Sequence, residues 1–284
     1  MTHPPLRVGR LDVTVACEGH APFSIDEELP GAGVDWAAER ARFPWAFVRE
    51  DVWAWHVHLF AVHTVTGIVL VDTGLGDYPP YHPWAESFDR AEAMSAAGID
   101  PAAVRAVAHT HLHADHAGGA VVQSRPAFPN AVHHVHPSDW AFFGRPDRIE
   151  GYTARGPMAE LDALGMLDLR SENHVVVAGV RVVHAPGHTP GHRVVVVESD
   201  GQTLVLTGDL LHVPTQVALP HWPSSHDKDP DGGCRSRLSV LERARTEGWL
   251  VGVSHFARPF GRVAADGWHS EPGGTADAGK GGAG

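Results

Sequence analysis

Three histidines and an aspartate lie within six residues of the chain, in the stretch 110–116 (Thr-His-Leu-His-Ala-Asp-His). Neutral imidazole and carboxylate groups are the ligands that hold zinc and similar divalent cations in proteins. Four such groups on so short a segment are more than one tetrahedral ion requires. The spacing therefore predicts a two-metal site, with His111 and His113 directed to one ion and Asp115 and His116 directed to the other.

Histidine is abundant in this chain, with 22 among 284 residues, so some clusters are expected by chance. We interpret His56, His58, His63 and the pair His133-His134 as structural histidines, exposed or hydrogen-bonded in the core. The stretch 110–116 differs in two ways. Its aspartate is spaced from the histidines as a metal ligand would be, and further ligand candidates follow later in the chain. Metal sites need several ligands that converge from separate segments.

The further candidates each follow a predicted strand. The stretch 110–116 comes directly after the apolar run 104–108, which has the length and flanks of a buried strand. His188, Asp209 and His255 also lie where a strand ends and a loop begins, which is where sheet-based folds build their sites. Asp72 occupies a similar position. It is predicted either to form a turn or cap, or to hydrogen-bond the ligand loop.

The elements that must position these residues occur in two similar halves. Apolar patterning predicts strands over 6–16, 55–63, 67–73 and 131–135, then over 175–177, 180–185, 192–198, 203–207 and 250–253. Helices are predicted over 86–97, 157–164 and 236–247, and a helix start at 137–140. We therefore expect an α/β fold, a four-layer αββα sandwich with two sheets face to face and helices outside.

One domain is expected over residues 1–272, followed by a disordered Gly/Ala-rich tail at 273–284. Residues 17–51 break the strand pattern with prolines and glycines. This segment is predicted to be a loop or arm that packs on the domain or on a second subunit, or that roofs a pocket. Its aromatic residues are Phe23, Trp36, Phe43, Trp45 and Phe47.

The amino-acid composition limits the classes of partner that the protein is expected to bind. A net charge of −12 argues against a nucleic-acid surface, because phosphate binding needs a basic stripe. Cys17 and Cys234 are too isolated for a disulfide scaffold and are expected to be unpaired thiols. Residues 1–10 show no apolar signal-peptide core, and no run approaches the ~18 apolar residues of a membrane span. We expect a cytoplasmic protein that binds a small molecule, with a homodimer left open.

These motifs resemble the metallo-β-lactamase superfamily of metallohydrolases over about residues 55 to 262. Residues 111–116 match its His-x-His-x-Asp-His signature. Asp72 in Val-Asp-Thr-Gly lies ahead of this signature, and three motifs follow it in order: His188 in Pro-Gly-His-Thr-Pro-Gly-His, Asp209 in Thr-Gly-Asp, and His255 after the last predicted strand. The order of Asp72 ahead of the signature, and of the histidine and aspartate motifs after it, makes the resemblance specific.

The resemblance implies two divalent ions, with zinc as the first choice and iron, manganese or cobalt as alternatives. It implies Asp209 as a bridge between the ions and Asp72 as a buried support of the ligand loop. The implied ligands of the first ion are His111, His113 and His188, and those of the second are Asp115, His116 and His255.

Within the superfamily, Gly-Asp-Leu-Leu-His and the segment 255–261 are similar to the branch of N-acyl homoserine lactonases and methyl-parathion-hydrolase-like enzymes. This implies cleavage of a small ester or lactone by hydroxide held between the ions, with Asp209 accepting the proton. His212 replaces a tyrosine of those lactonases. It is a candidate oxyanion donor or proton shuttle, or else a supporting histidine. Phe260 is expected in an acyl pocket or in the core.

Other functions use the same ligand set. A phosphotriester hydrolase is the nearest alternative, and an iron-dependent oxidoreductase is another, since imidazole and carboxylate also suit iron. An RNA-processing nuclease shares the signature, but the excess of acidic over basic residues argues against this function. A metal-binding module without catalysis would hold the ions and turn over no ester.

Overall fold

The computed structural model describes residues 3–31, 33–76, 89–143 and 154–271. Within these ranges the strands are β1 (Leu6–Val8), β2 (Leu11–Ser24), β3 (Phe47–Arg49), β4 (Val52–Thr64), β5 (Gly67–Val71), β6 (Val104–Ala108), β7 (Val121–Val122), β8 (Arg125–Pro126), β9 (Val132–Val135), β10 (Leu167–Leu169), β11 (His174–Val177), β12 (Val180–His184), β13 (Arg193–Ser199), β14 (Gln202–Leu206), β15 (Leu250–Gly252), β16 (Phe260–Ala264) and β17 (Gly267–Ser270).

The helices are α1 (Ile25–Glu28), α2 (Trp36–Arg42), α3 (Arg90–Ala96), α4 (Ala114–Ala117), α5 (Pro137–Phe143), α6 (Arg155–Ala163), α7 (Thr215–Ala218) and α8 (Pro230–Glu247). Single 3₁₀ turns occur at Pro44–Ala46, Pro101–Ala103, Gly118–Ala120 and Gly208–Leu210. In the part of the chain described, no helix combines the length and apolar character that crossing a membrane requires.

The strands form two large sheets. The first has the order β1-β2-β4-β5-β6-β9-β10, with β3 beside β4, and its strands β5, β6, β9 and β10 run parallel. The second runs from β11 to β17 in sequence order and is antiparallel except for the pair β14-β15. Because parallel strands share one carboxyl end, the loops after β6 and β14 can carry residues to one edge of each sheet.

Side chains alternate between the two faces of each sheet. On β5, Val69 and Val71 point to the core between the sheets, whereas Leu70 packs outward with Met94 of α3. On β14 the same alternation places Val205 against the side of α8. Since each fully buried valine or leucine contributes about 1.5–3 kcal/mol, this alternation fixes the order helix, sheet, sheet, helix. The αββα prediction is confirmed.

The segment 17–51 was wrongly predicted as a loop. Strand β2 continues through it to Ser24, pairing with β4 across a bulge between Cys17 and Gly19. The remainder forms α1, α2, a 3₁₀ turn and β3. Its aromatic side chains pack on the chain's own cores, with Phe23 against Trp55 and Trp36 against Phe47. Polar and proline residues in β2 hid this strand from the apolar pattern.

Other boundaries also differ. Residues 9–10 form a tight turn between β1 and β2, with Gly9 at φ +56°, instead of a bulge within one strand. Strands β10, β16 and β17 were not predicted, so the strand at 250–253 is not the last, and α8 begins six residues before the predicted 236. Residues 86–88 of the predicted helix 86–97 and the tail 273–284 lie outside the described residues. The single domain over 1–272 stays a prediction.

Candidate metal centre

The stretch 110–116 is held where β6 ends by backbone contacts with the loop after β5. The amide of Thr73 donates to the carbonyl of His116 at 2.7 Å, and the amide of Gly119 donates to the carbonyl of Gly74 at 2.8 Å. At Gly119 a Cβ would overlap the Thr73 carbonyl oxygen. Glycine is needed here because the two backbones approach each other closely.

A first group of four buried side chains consists of His111, His113, His188 and Asp209, whose ligand atoms all lie within 4.8 Å of one another. Nδ1 of His113 lies 2.9 Å from Nε2 of His111 and 3.0 Å from Nε2 of His188. Oδ2 of Asp209 is 3.3 Å from the same His188 nitrogen. Burial holds the pKa of each of these three histidines well below its usual value, so each ring is neutral and can offer one nitrogen to a metal ion.

A second group consists of Asp115, His116, Asp209 and His255, again buried and within 4.8 Å of one another. Nε2 of His116 is 3.0 Å from Oδ2 of Asp115 and 3.0 Å from Oδ1 of Asp209. Nε2 of His255 is 3.0 Å from the same Asp209 oxygen. The two oxygens of Asp209 therefore face different groups, Oδ2 the first and Oδ1 the second.

His116 provides a test of whether cations fit between these groups. Its buried Nε2 has two carboxylate oxygens at 3.0 Å but makes no hydrogen bond to any described residue. Burial acts to lower the pKa of His116, but Asp115, Asp209 and Asp72 together hold it well above its usual value. A buried nitrogen that faces carboxylates without a hydrogen bond is suited to share a cation with them. The donor set therefore fits two divalent ions.

Asp72 fixes the orientation of this histidine. Its Oδ1 accepts from the amide of Thr110 at 2.7 Å, and its Oδ2 accepts from the Thr110 hydroxyl and from Nδ1–H of His116, each at 2.8 Å. Asp72 thereby keeps a proton on Nδ1, so a cation between His116 and Asp209 would replace the proton on Nε2 and bind that nitrogen. Of the two alternatives for Asp72, support of the ligand loop matches the structure, and its φ of +61° shows that it also makes a turn.

Three further ligand candidates are held in their orientation by hydrogen bonds to groups that the sequence did not identify. Nδ1 of His188 donates to Oδ1 of Asp227 at 3.1 Å, and Nδ1 of His255 donates to the carbonyl of His56 at 2.7 Å. The amide of Asp209 donates to Nε2 of His192 at 3.1 Å. His192 stood in the visible Pro-Gly-His-Thr-Pro-Gly-His motif, whereas Asp227 lies in a polar loop without a pattern.

His212 lies beside the shared aspartate. Its Nε2 is 3.3 Å from Oδ2 of Asp209, and its Nδ1 is 3.7 Å from Oε1 of Glu28. Burial lowers the pKa of His212, but Glu28 and Asp209 outweigh burial and raise it to about 9. Glu28 belongs to α1, so the segment 17–51 contributes a buried acid to this centre. Phe260, by contrast, packs against Phe60 in the core, with ring centroids 5.6 Å apart.

The histidines interpreted as structural differ among themselves. His63 contacts the hydroxyl of Thr14 at 3.0 Å, and His133 contacts buried His109 at 2.9 Å, as expected of hydrogen-bonded histidines. His56 and His58 instead converge with Cys17 in a separate buried group.

Comparison with known proteins shows the family to which the chain belongs. Residues 53–252 match the metallo-beta-lactamase superfamily. The chain is 30% identical over 141 residues to N-acyl homoserine lactonase AttM of Rhizobium radiobacter, and the match covers 46% of this chain and 48% of that protein. The chain thus spans about half the length of this relative.

Two solved structures share the fold over nearly the whole chain. The dizinc quorum-quenching lactonase AidC, in complex with a product, superposes with a TM-score of 0.79 at 21% identity, covering 95% of this chain and 97% of that one. The hydrolase AbOPH of the beta lactamase superfamily superposes with a TM-score of 0.80 at 19% identity and the same coverage. With the superfamily match spanning well over half of its residues, the chain belongs to the metallo-beta-lactamase superfamily.

Proposed function

We propose that this protein is a metal-dependent hydrolase that opens a small lactone, and that N-acyl homoserine lactones are the first class of substrate to test. The observation that carries the proposal is the placement of Asp209, one buried carboxylate that contributes to two groups of metal-binding side chains. The relatives of similar sequence are named as lactonases, which supports the choice of a cyclic ester.

Two divalent ions, most simply zinc, would be held by the two groups. His111, His113 and His188 would bind the first ion, Asp115, His116 and His255 the second, and Asp209 both. Iron, manganese and cobalt accept the same imidazole and carboxylate ligands. When bound, two such ions lower the pKa of a water toward neutrality and polarise a carbonyl oxygen.

The side chains of the protein account for the proton transfers. Asp209 lies between the two groups, where a carboxylate can take a proton from the attacking water and return it to the departing alcohol oxygen. His212 is placed 3.3 Å from the same carboxylate, so it can donate a hydrogen bond to the carbonyl oxygen of the substrate or relay the proton. Asp115 would serve as a ligand of the second ion, since its Oδ2 lies 3.0 Å from Nε2 of His116 and 3.7 Å from Nε2 of His255.

The bound substrate is proposed to be a small molecule, with no nucleic-acid partner, given the net charge of −12. A cytoplasmic location is part of the proposal, supported by two free cysteines that suit a reducing compartment.

The test is a pH-stat assay of the zinc-loaded protein on lactones of increasing acyl length, with an aryl phosphotriester in parallel. We expect acid release from lactones that a chelator abolishes and zinc restores. Asp209→Asn serves as the inactive control. Turnover of the phosphotriester alone would replace the lactonase assignment with a phosphotriesterase, and no turnover by a protein that holds both ions would refute the hydrolase.

A further inference from the structure

A third group of metal-binding side chains lies on the first sheet, separate from the two groups described above. It consists of Cys17 on β2 with His56 and His58 on β4. Cys17 pairs with His58 across the two strands, directly beside the bulge that ends at Gly19. His56 and His58 are two residues apart on one strand and so share a face. All three side chains are buried, with exposed fractions of 8%, 1% and 2%.

The spacing within this group matches one tetrahedral ion. Sγ of Cys17 lies 3.5 Å from Nδ1 of His56, and the three ligand atoms are within 4.8 Å of one another. Zinc–sulfur bonds of about 2.3 Å and zinc–nitrogen bonds of about 2.0 Å at the tetrahedral angle place sulfur and nitrogen about 3.5 Å apart. Two of the donors therefore already have the separation that a shared ion would impose.

His58 points to a ligand independently. Its Nε2–H donates to the carbonyl of Phe256 at 2.8 Å, which leaves the lone pair on Nδ1. That Nδ1 is buried and has no hydrogen-bond partner among residues 3–31, 33–76, 89–143 and 154–271. A buried nitrogen without a hydrogen-bond partner is unfavourable, and a bound cation would give it a partner.

We propose that Cys17, His56 and His58 bind a third metal ion, zinc or a similar thiophilic cation, through one thiolate and two imidazoles. Binding breaks the S–H bond of Cys17, forms a sulfur–metal bond and releases the proton to solvent. His3 offers a further imidazole, since its ring packs edge-on against His58 at 5.4 Å and its buried Nε2 has no partner in the described residues. The thiolate distinguishes this site from the two all-nitrogen-and-oxygen sites.

The third site is connected to the second group through the backbone. The carbonyl of His56 accepts from Nδ1–H of His255, and the ring of His58 binds the carbonyl of Phe256, the next residue. An ion on this site would therefore hold β4 to the segment that carries His255. We infer that the third ion is structural and stabilises the segment without entering the reaction. The inference does not depend on which substrate the protein hydrolyses.

The test uses cobalt in place of zinc, because a thiolate ligand gives a near-ultraviolet charge-transfer band that nitrogen and oxygen ligands do not give. Cys234→Ser leaves Cys17 as the one cysteine of the chain. We expect the cobalt-loaded Cys234→Ser protein to show the band and to bind three ions per chain. A protein with two ions and no band would overturn the proposal and leave a thiol hydrogen-bonded to His56 or to the Gly19 carbonyl.

A second variant tests the structural role. Cys17→Ser is expected to bind two ions, to lose the band, and to melt at a lower temperature than the parent when both are loaded with metal. The metal-free forms of the two proteins should melt within a few degrees of each other, which separates loss of the ion from damage to the fold. An equal difference in melting temperature with and without metal would contradict a structural ion.

Discussion

The variant Asp72→Asn tests whether a residue that hydrogen-bonds a ligand histidine determines the metal affinity of the centre. Asparagine tolerates the left-handed backbone at φ +61°, so the turn should persist. Its oxygen can keep the hydrogen bond from the Thr110 amide, but its NH₂ group then faces Nδ1 of His116. His116 must place its proton on Nε2, where it blocks the lone pair that a metal needs.

Two magnitudes follow from this rearrangement. Loss of the charged hydrogen bond from His116 to Asp72 costs about 1.5–3 kcal/mol of folding free energy in the metal-free protein. Loss of the outer partner of a ligand histidine weakens metal binding by about 10–100-fold, which corresponds to about 1.4–2.7 kcal/mol. The variant should therefore stay folded and bind the second ion poorly.

Metal affinity can be measured by competition with a chromophoric chelator, and stability by urea unfolding after chelator treatment. Asp139→Asn is the matched control, because Asp139 is also buried and accepts two hydrogen bonds, from the Gly191 amide and the Thr189 hydroxyl, but contacts no ligand histidine through them. Unchanged zinc affinity in Asp72→Asn, or an equal loss in both variants, would refute the argument from the histidine tautomer.

Three further results are expected. Asp209→Asn and His113→Ala should each lower lactone hydrolysis by about 10²–10⁴-fold with the far-ultraviolet circular dichroism of the parent, and near-native turnover in either would reject the assigned centre. Burial raises the pKa of Asp139 to about 7 against the hydrogen bonds from Gly191 and Thr189, so the folded state keeps a proton that the unfolded state has lost. The contribution of Asp139 to the free energy of unfolding of the metal-free protein therefore falls as the pH rises from about 4 to about 7, whereas histidines that burial keeps neutral, such as His111 and His188, contribute a rise. The free energy of unfolding of the parent minus that of Asp139→Asn should decrease over this range, and a constant difference would exclude Asp139 as a source of the pH dependence. Gly119→Ala should cost about 1–3 kcal/mol of stability because its methyl group meets the Thr73 carbonyl, and a melting curve equal to the parent's would contradict that contact.

The groups that converge on Asp209 could be predicted from the sequence because each follows a buried strand. A strand of four or five apolar residues is visible in the pattern, and the polar residue after it must lie at the edge of a sheet. That logic placed His188, Asp209 and His255 together although they are far apart in the chain. The two similar halves of the chain, each with strands followed by a helix, were sufficient to predict two facing sheets with helices outside. In the structure, the side chains of β5 and β14 alternate between the core and the helices accordingly.

The supporting residues could not be predicted in this way because their roles depend on tertiary contacts. Glu28 reaches His212 only because β2 continues past Cys17 and delivers α1 to the centre. Asp227 reaches His188 from a loop whose composition shows no periodicity. His56 and His58 alternate with apolar residues as on any half-buried strand, and only the register with β2 shows that Cys17 lies beside them.

The central claim is that the two oxygens of Asp209 serve two metal ions, and anomalous diffraction from crystals of the zinc-loaded protein tests it most directly. At the Asp209 carboxylate we predict two anomalous peaks, one among His111, His113 and His188 and one beside His116 and His255, separate from the peak expected at Cys17. A single peak at this carboxylate, or a carboxylate of Asp209 that contacts no metal in fully loaded crystals, would contradict the account.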